Sequence, residues 1–269
     1  SGSGGGGTGG SGSSGGSGSS SGGTTEKPTD PEKPADPEKP TDPEKPTNPE
    51  TPDEPTETVK KGDIQKVDGI KYQVTSVSKG KKAVAYAGSS KTAKKVTIPT
   101  SVNINGTKYQ VTSIADNAMS GYSKLTSVTI PSSVTKIGKN AFKNCTGLKS
   151  VTLPKNVTSV GTNAFYNCKK LTAVKFAGTK ITKIGDGAFQ KCAALKSVVV
   201  PKSVKEIGKN AFKDCRKLTK ITLKGTKIAK IGKNAFANMA KTVTISVPNS
   251  KKAAYKKLLK KAGYKQLVK

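Results

Sequence analysis

Between about residues 111 and 247 the chain repeats itself six times. Ala118-Met119 is followed by Ala141-Phe142, Ala164-Phe165, Ala188-Phe189, Ala211-Phe212 and Ala235-Phe236, at steps of 23 or 24 residues. Four residues after each Ala stands Tyr122, Cys145, Cys168, Cys192, Cys215 or Met239. Seven after it stands Leu125, Leu148, Leu171, Leu195 or Leu218, and ten after it Val128, Val151, Val174, Val198 or Ile221. A unit this short cannot bury its apolar side alone, so successive units must stack.

A period of 20 to 29 residues with Leu, Cys and aliphatics at fixed offsets marks a leucine-rich solenoid. The pattern predicts a β-rich solenoid with a parallel sheet. Within each unit the first extended piece alternates, with Val151 and Leu153 facing in and Ser150 and Thr152 facing out. Pro131, Pro154 and Pro201 end it. A second piece carries pairs such as Val134 and Ile137, and a turn with Gly138, Gly161, Gly185, Gly208 or Gly232 leads back to Ala-Phe. Two units have one residue more, Ala177-Gly178-Thr179-Lys180-Ile181 and Lys224-Gly225-Thr226-Lys227-Ile228, which predicts a bulge bent at Gly. The Asn before each Ala (Asn117, Asn140, Asn163, Asn210, Asn234) predicts a tight turn, with Gly187 as a compatible exception.

Residues 1–23 hold only Gly, Ser and Thr, and nothing in them offsets the entropy of ordering. They are expected to be a disordered linker. Residues 24–58 repeat D-P-E-K-P and are expected to be a stiffer polyproline spacer, reaching roughly 100 Å at ~3.1 Å per residue. Residues 59–110 read as a degenerate N-terminal capping coil. In it G-I-K-Y-Q-V-T-S-V (69–77) nearly copies G-T-K-Y-Q-V-T-S-I (106–114), and Asp68-Gly69 and Asn105-Gly106 predict hairpins. Residues 111–247 form the solenoid proper. Residues 248–269 predict a Lys-rich capping helix, with Ser250 as N-cap and Gly263 as stop. About seven coils at ~5 Å each give a stack of roughly 35 Å. The chain begins without Met and shows no signal peptide, as expected of a mature or truncated product. No stretch approaches the length of a membrane span.

Charge divides the chain. Residues 1–58 carry four Lys and eleven acids, net −7, whereas residues 59–269 carry 44 basic residues and six acids, net +38. Of the 48 basic residues only Arg216 is Arg. Readers of base sequence rely on the planar Arg fork, so sequence-specific nucleic-acid recognition is not expected. Near-total Lys fits diffuse attraction to polyanions; it equally fits plain solvation of the outer faces, and the sequence leaves both open. With no His and no Trp, the usual general base and nitrogen metal ligand are missing. No cofactor and no metal site are expected. The four Cys follow the repeat and lack any C-x-x-C, which predicts a ladder of free, buried thiols.

The unit C-T-G-L-K-S-V-T-L-P-K-N-V-T-S-V-G-T-N-A-F (145–165) resembles the BspA-like, Treponema pallidum-type leucine-rich repeats of bacterial surface proteins. The spacer resembles wall-spanning linkers of Gram-positive surface proteins. The resemblance implies a secreted or cell-surface module of a host-associated bacterium, expected to be a monomer. Its role would be adhesion to a host or matrix protein or an acidic glycan. Two alternatives remain: retention in the cell's own wall through teichoic acid, on behalf of a domain preceding Ser1, and a general protein–protein scaffold. The C-terminus ends K-Q-L-V-K without an L-P-x-T-G signal, so covalent wall anchoring through it is not expected.

Catalysis has little to build on. The six acids of the folded part occupy unrelated slots of the repeat, and no His is present to activate a Cys. No enzymatic activity is expected. The candidate binding face is the outer side of the first extended piece. It presents Ser127/Thr129, Ser150/Thr152, Ala173/Lys175, Ser197/Val199, Lys220/Thr222 and Thr244/Ser246, a ladder of small hydroxyls without projecting aromatics. Thr152, Lys175, Lys220 and Thr222 are the candidate contact residues; filling of a solvent-facing sheet by small β-favouring residues is the competing reading.

Overall fold

The computed structural model describes residues 58–178 and 180–264. The Gly/Ser segment, nearly all of the Pro-rich spacer and the last five residues lie outside the described residues. The extra residue of the first long coil also falls partly outside them, at position 179.

The chain winds as a parallel solenoid of about seven turns and ends in one helix. Each full coil contributes a longer strand and a two-residue strand. The longer ones are Ser127–Thr129, Ser150–Leu153, Ala173–Phe176, Ser197–Val200, Lys220–Leu223 and Thr244–Ser246. Val151 and Leu153 are buried while Ser150 and Thr152 are exposed, the alternation that a pleated strand imposes. The short strands Lys136–Ile137, Ser159–Val160, Lys183–Ile184, Glu206–Ile207 and Lys230–Ile231 form the other ladder, all parallel and in register.

The third side of each coil is a chain of turns, and it aligns the repeat most strictly. The amide of Phe142 donates to the Ala164 carbonyl of the next coil at 2.7 Å, and Phe165, Phe189 and Phe212 repeat the bond at 2.8 Å. Their rings stack nearly parallel, with centroids 4.8, 5.2, 5.3 and 5.6 Å apart from Phe142 through Phe236. Burying each Phe contributes about 1.5–3 kcal/mol, and the offset stacks add about 0.5–1.5 kcal/mol. The residue before each Ala adopts a left-handed conformation, φ 53–60° from Asn117 to Asn234. Asn and Gly tolerate that geometry best, hence their column.

The five glycines that precede this turn have a different cause. A Cβ on Gly161 would lie 2.7 Å from the carbonyl carbon of Gly138, and one on Gly185 would lie 2.7 Å from that of Gly161. Adjacent coils touch backbone to backbone there, leaving no room for a side chain. Gly178 and Gly225 answer to the same constraint: a Cβ on Gly178 would overlap the Lys155 carbonyl, and one on Gly225 would stand 2.8 Å from the Lys202 carbonyl.

Both ends are closed by irregular structure. At the N-terminal end Ile64–Val67 and Ile70–Ser76 form a hairpin, as do Ser101–Ile104 and Thr107–Ile114. Their tips, Asp68-Gly69 and Asn105-Gly106, have φ of 49°/76° and 48°/70°, the paired positive values of a type I′ turn. Tyr122 takes the Cys slot of the first full coil and locks this lead-in. Its hydroxyl accepts from the Ser89 amide at 2.8 Å and donates to the Ser89 carbonyl at 2.5 Å.

At the other end the helix Lys252–Lys261 buries Tyr255 and Leu259. A short 3₁₀ turn, Asn249–Lys251, precedes it, so Lys251 is the N-cap and Ser250 is not; no side chain caps that end. The stop is as expected. Gly263 sits at φ 87°, with Tyr264 N–H donating to Leu259 and Gly263 N–H to Lys260, a Schellman closure.

Candidate binding surface

The outer face of the long strands gathers the four candidate residues, in two groups. Thr152 pairs directly with Lys175 across adjacent strands. Lys220 and Thr222 stand on one strand, opposite Ser197 and Val199 on one side and Thr244 and Ser246 on the other. Thr152, Lys175 and Lys220 are exposed and Thr222 is half-buried.

The ladder is interrupted between the two groups. Ala173–Phe176 pairs only with Ser150–Leu153, and Ser197–Val200 pairs only with Lys220–Leu223. A groove of about 700 Å³ opens at the interruption. Its apolar lining comes from Val174, Phe176, Val199 and Pro201, with Lys175, Lys202 and Lys224 around them. Val199 is 45% exposed and, with Ile64 and Val77 of the lead-in, one of three large exposed apolar side chains among the described residues. Phe176 is half-buried and meets Phe189 edge-on, with centroids 6.3 Å apart.

The flat hydroxyl ladder expected from sequence is therefore only part of this face. Two signals in the chain mark the exception: Ala177 replaces the strand-ending Pro, and Val199 replaces a hydroxyl. After Phe176 the Ala177 amide still donates to the Leu153 carbonyl one coil back at 2.9 Å, and the Phe176 ring is left half-buried.

Five of the six acids of the folded part are engaged away from this face. The Oδ1 atoms of Asp116 and Asp186 accept the amides of Lys139 and Lys209 one coil on, at 2.7 and 2.8 Å. Asp214 accepts from the Asn238 side chain at 2.8 Å, and Asp63 from the Lys60 amide at 2.7 Å. Glu206, in the short ladder, bridges Lys230 at 3.1 Å and Lys183 at 3.2 Å. The hydrogen bond from Lys230, chiefly, holds its carboxyl below the usual range; burial opposes it, and the hydrogen bond from Lys183 and the charges of both lysines add to the lowering. Each long strand is free of carboxylates, so nothing on this face offsets its lysines.

The cysteines are free and buried. The thiols of Cys145, Cys168, Cys192 and Cys215 donate to the carbonyls of Met119, Phe142, Phe165 and Phe189, each one coil back, at 3.0–3.2 Å. Burial pushes the Cys145 thiol up to about 12, and raises Cys192 and Cys215 well above their ordinary value. These are poor nucleophiles and poor metal ligands in the folded chain. Among the described residues no group of three or more His, Cys, Asp or Glu is placed to hold a metal, and no helix is long and apolar enough to cross a membrane.

The family model for the BspA-type leucine-rich repeat region matches six copies, over residues 83–191, 112–243 and 182–263. Among solved structures, the T. pallidum leucine-rich repeat protein superposes with a TM-score of 0.56 at 27% identity, over 73% of this chain and 96% of that one. A leucine-rich cell surface protein of Faecalibacterium prausnitzii matches at 23% identity over 70% of this chain and 71% of that one, with a TM-score of 0.41. No curated protein sequence matches the chain. The matched segments run without a gap from residue 83 to 263, and the chain belongs to the BspA-type leucine-rich repeat family.

Proposed function

We propose that this chain is an extracellular bacterial surface module that adheres to an acidic host or matrix macromolecule, using the outer face of its long-strand ladder. One observation carries the reading: a folded part of net +38 keeps its few carboxylates off that face, while Lys175 and Lys220 stand on it among Ser and Thr. Such a surface attracts polyanions over about a Debye length, some 8–10 Å at physiological salt. The repeat scaffold presents a surface and offers no acid–base pair, which favours binding over catalysis. The Pro-rich spacer at residues 24–58 suits a module held away from a cell surface. The expected relation is to a single copy of the chain.

Retention in the producing cell's own wall through teichoic acid rests on the same charge and is separated by experiment. Binding of the chain to polyglutamate, heparin and purified walls is measured between 50 and 500 mM NaCl. Affinity is expected to drop at least about tenfold across that range, and to drop again in the double variant Lys175→Glu, Lys220→Glu. Binding that ignores salt and both substitutions ends the acidic-ligand reading in favour of an uncharged scaffold. Undiminished binding to walls stripped of teichoic acid ends the retention reading.

A further inference from the structure

We propose that the groove at the ladder interruption docks an extended acidic peptide segment of a partner protein, one that carries an apolar side chain between its carboxylates. This inference rests on the acidic-ligand reading above and names the class of partner.

The solenoid is almost uniformly lysine and hydroxyl on its outer side, and apolar side chains surface at this one place along the long strands. Val199 stands in the outward row between Lys175 and Thr222, where neighbouring coils have Thr152, Thr222 and Ser246. Beside it the half-buried Phe176 ring, Val174 and Pro201 complete an apolar lining. A sulfated glycan or a teichoic acid chain can offer these four side chains only the C–H faces of its sugars, and its charged groups lose hydration there, so it gains less than an aliphatic side chain does. A Leu, Ile or Phe side chain does gain by entering.

The rim sets the rest of the ligand. Lys175, Lys202 and Lys224 surround the apolar lining and no carboxylate lines the groove, so the residues flanking the inserted side chain are acidic. The groove also lies where Ala173–Phe176 and Ser197–Val200 are not bridged to one another, and a peptide in extended form follows the strand direction there. Alternate side chains of such a peptide face the same way. One apolar residue can thus point into the groove while flanking carboxylates reach the lysines.

The other open grooves are built differently. One, of about 690 Å³ near Lys82 and Lys108, is lined mainly by Lys, Ser, Thr and Gln of the lead-in. Another, of about 630 Å³, lies across the sheet near Gln73 and Asp116 and contains a carboxylate.

The test uses two fluorescein-labelled peptides, Asp-Glu-Asp-Leu-Asp-Glu-Asp and the same peptide with Ser for Leu, titrated with the full chain by fluorescence anisotropy in 150 mM NaCl. The Leu peptide is expected to bind at least about fivefold more tightly, the effect of partly burying one aliphatic side chain. Val199→Ser, a change at an outward-facing position, is expected to remove that advantage while leaving heparin binding and the circular dichroism spectrum unchanged. Lys202→Glu with Lys224→Glu is expected to weaken the Leu peptide about tenfold or more. Equal affinity of the two peptides, or an advantage that survives Val199→Ser, overturns the proposal. If heparin and polyglutamate still bind, only the groove assignment falls and the polyanion reading stands; if they fail as well, the acidic-ligand reading falls with it.

Discussion

The thiol of Cys168 donates to the carbonyl of Phe142, one coil earlier, across 3.2 Å. That carbonyl also accepts the amide of Cys145 in its own coil at 3.2 Å. One oxygen thereby ties a turn within a coil to the next coil, and Cys145, Cys192 and Cys215 repeat the interaction at their own levels. The Cys slot is thus filled by a small apolar side chain with one weak donor.

The thiols of Cys145, Cys192 and Cys215 couple stability to alkaline pH. An acid whose folded value is raised stays protonated in the folded chain after it has ionised in the unfolded one. Between about pH 9, the ordinary thiol value, and about 12, the value for Cys145, the unfolded chain therefore binds fewer protons. The contribution of Cys145 is complete below pH 9 and is lost as pH rises, by about 1.4 kcal/mol per unit; Cys192 and Cys215, also raised by burial, act in the same direction. Urea midpoints measured at pH 7, 9 and 10.5 should be similar at the first two and sharply lower at the third. At pH 8 a thiol reagent should label the native chain negligibly and all four cysteines in urea.

Lys191 is held at φ 62°, in a column otherwise occupied by Gly121, Asn144, Asn167, Asp214 and Asn238. Its ammonium lies 5.4 Å from the Tyr166 ring centroid, a contact that returns only part of the left-handed strain. Lys191→Asn is expected to stabilise the solenoid, seen as a higher urea midpoint with an unchanged slope.

Gly161→Ala tests the backbone contact between coils. The new methyl meets the Gly138 carbonyl group at 2.7 Å, and neither backbone has room to yield. A loss of about 3 kcal/mol is expected, larger than for an alanine at the exposed turn glycine Gly80, where a Cβ would meet nothing within 4 Å and only the positive φ of 74° opposes it.

Tyr255 anchors the terminal helix: its hydroxyl donates to the Gly225 carbonyl at 2.9 Å and accepts from the Ile228 amide at 3.0 Å. Tyr255→Phe keeps the ring and leaves both backbone groups without that partner. About 1–3 kcal/mol of local stability should be lost. Hydrogen exchange should show it as faster exchange in residues 252–264 and the last coil, with the coils around Phe142 protected as before.

Where one residue type answered one local demand, the sequence was readable. Asn before Ala announced a tight turn because few side chains tolerate positive φ, and Asp68-Gly69 and Asn105-Gly106 announced hairpins for the same reason. The Ala-Phe column gave the stacking because nothing else repeats so strictly. The second left-handed column, from Gly121 to Asn238, leaves a weaker trace in the sequence because Lys191 and Asp214 break its composition. The glycines near 138–232 showed as a turn signal, yet their cause is clearance between coils, which only the packed backbone reveals. Ser250 has the right chemistry for an N-cap, but the 3₁₀ turn moved the helix start one residue past it. Thr152, Lys175, Lys220 and Thr222 do face outward as their alternation required. The groove between them is not legible in the sequence because it lies at a strand interruption, and pairing is a property of neighbouring coils that no single coil's sequence carries.

The carbonyl of Ala262 accepts the Asn234 amide at 2.8 Å, the position that the Lys233 carbonyl holds for Asn210 and the Lys209 carbonyl for Gly187. The helix end thus counterfeits the coil that is missing. A parallel ladder has no intrinsic length, and an unsealed terminus would welcome the first coil of another molecule and grow into a fibre. By offering a false next step that leads nowhere, Ala262 makes the stack finite at this end.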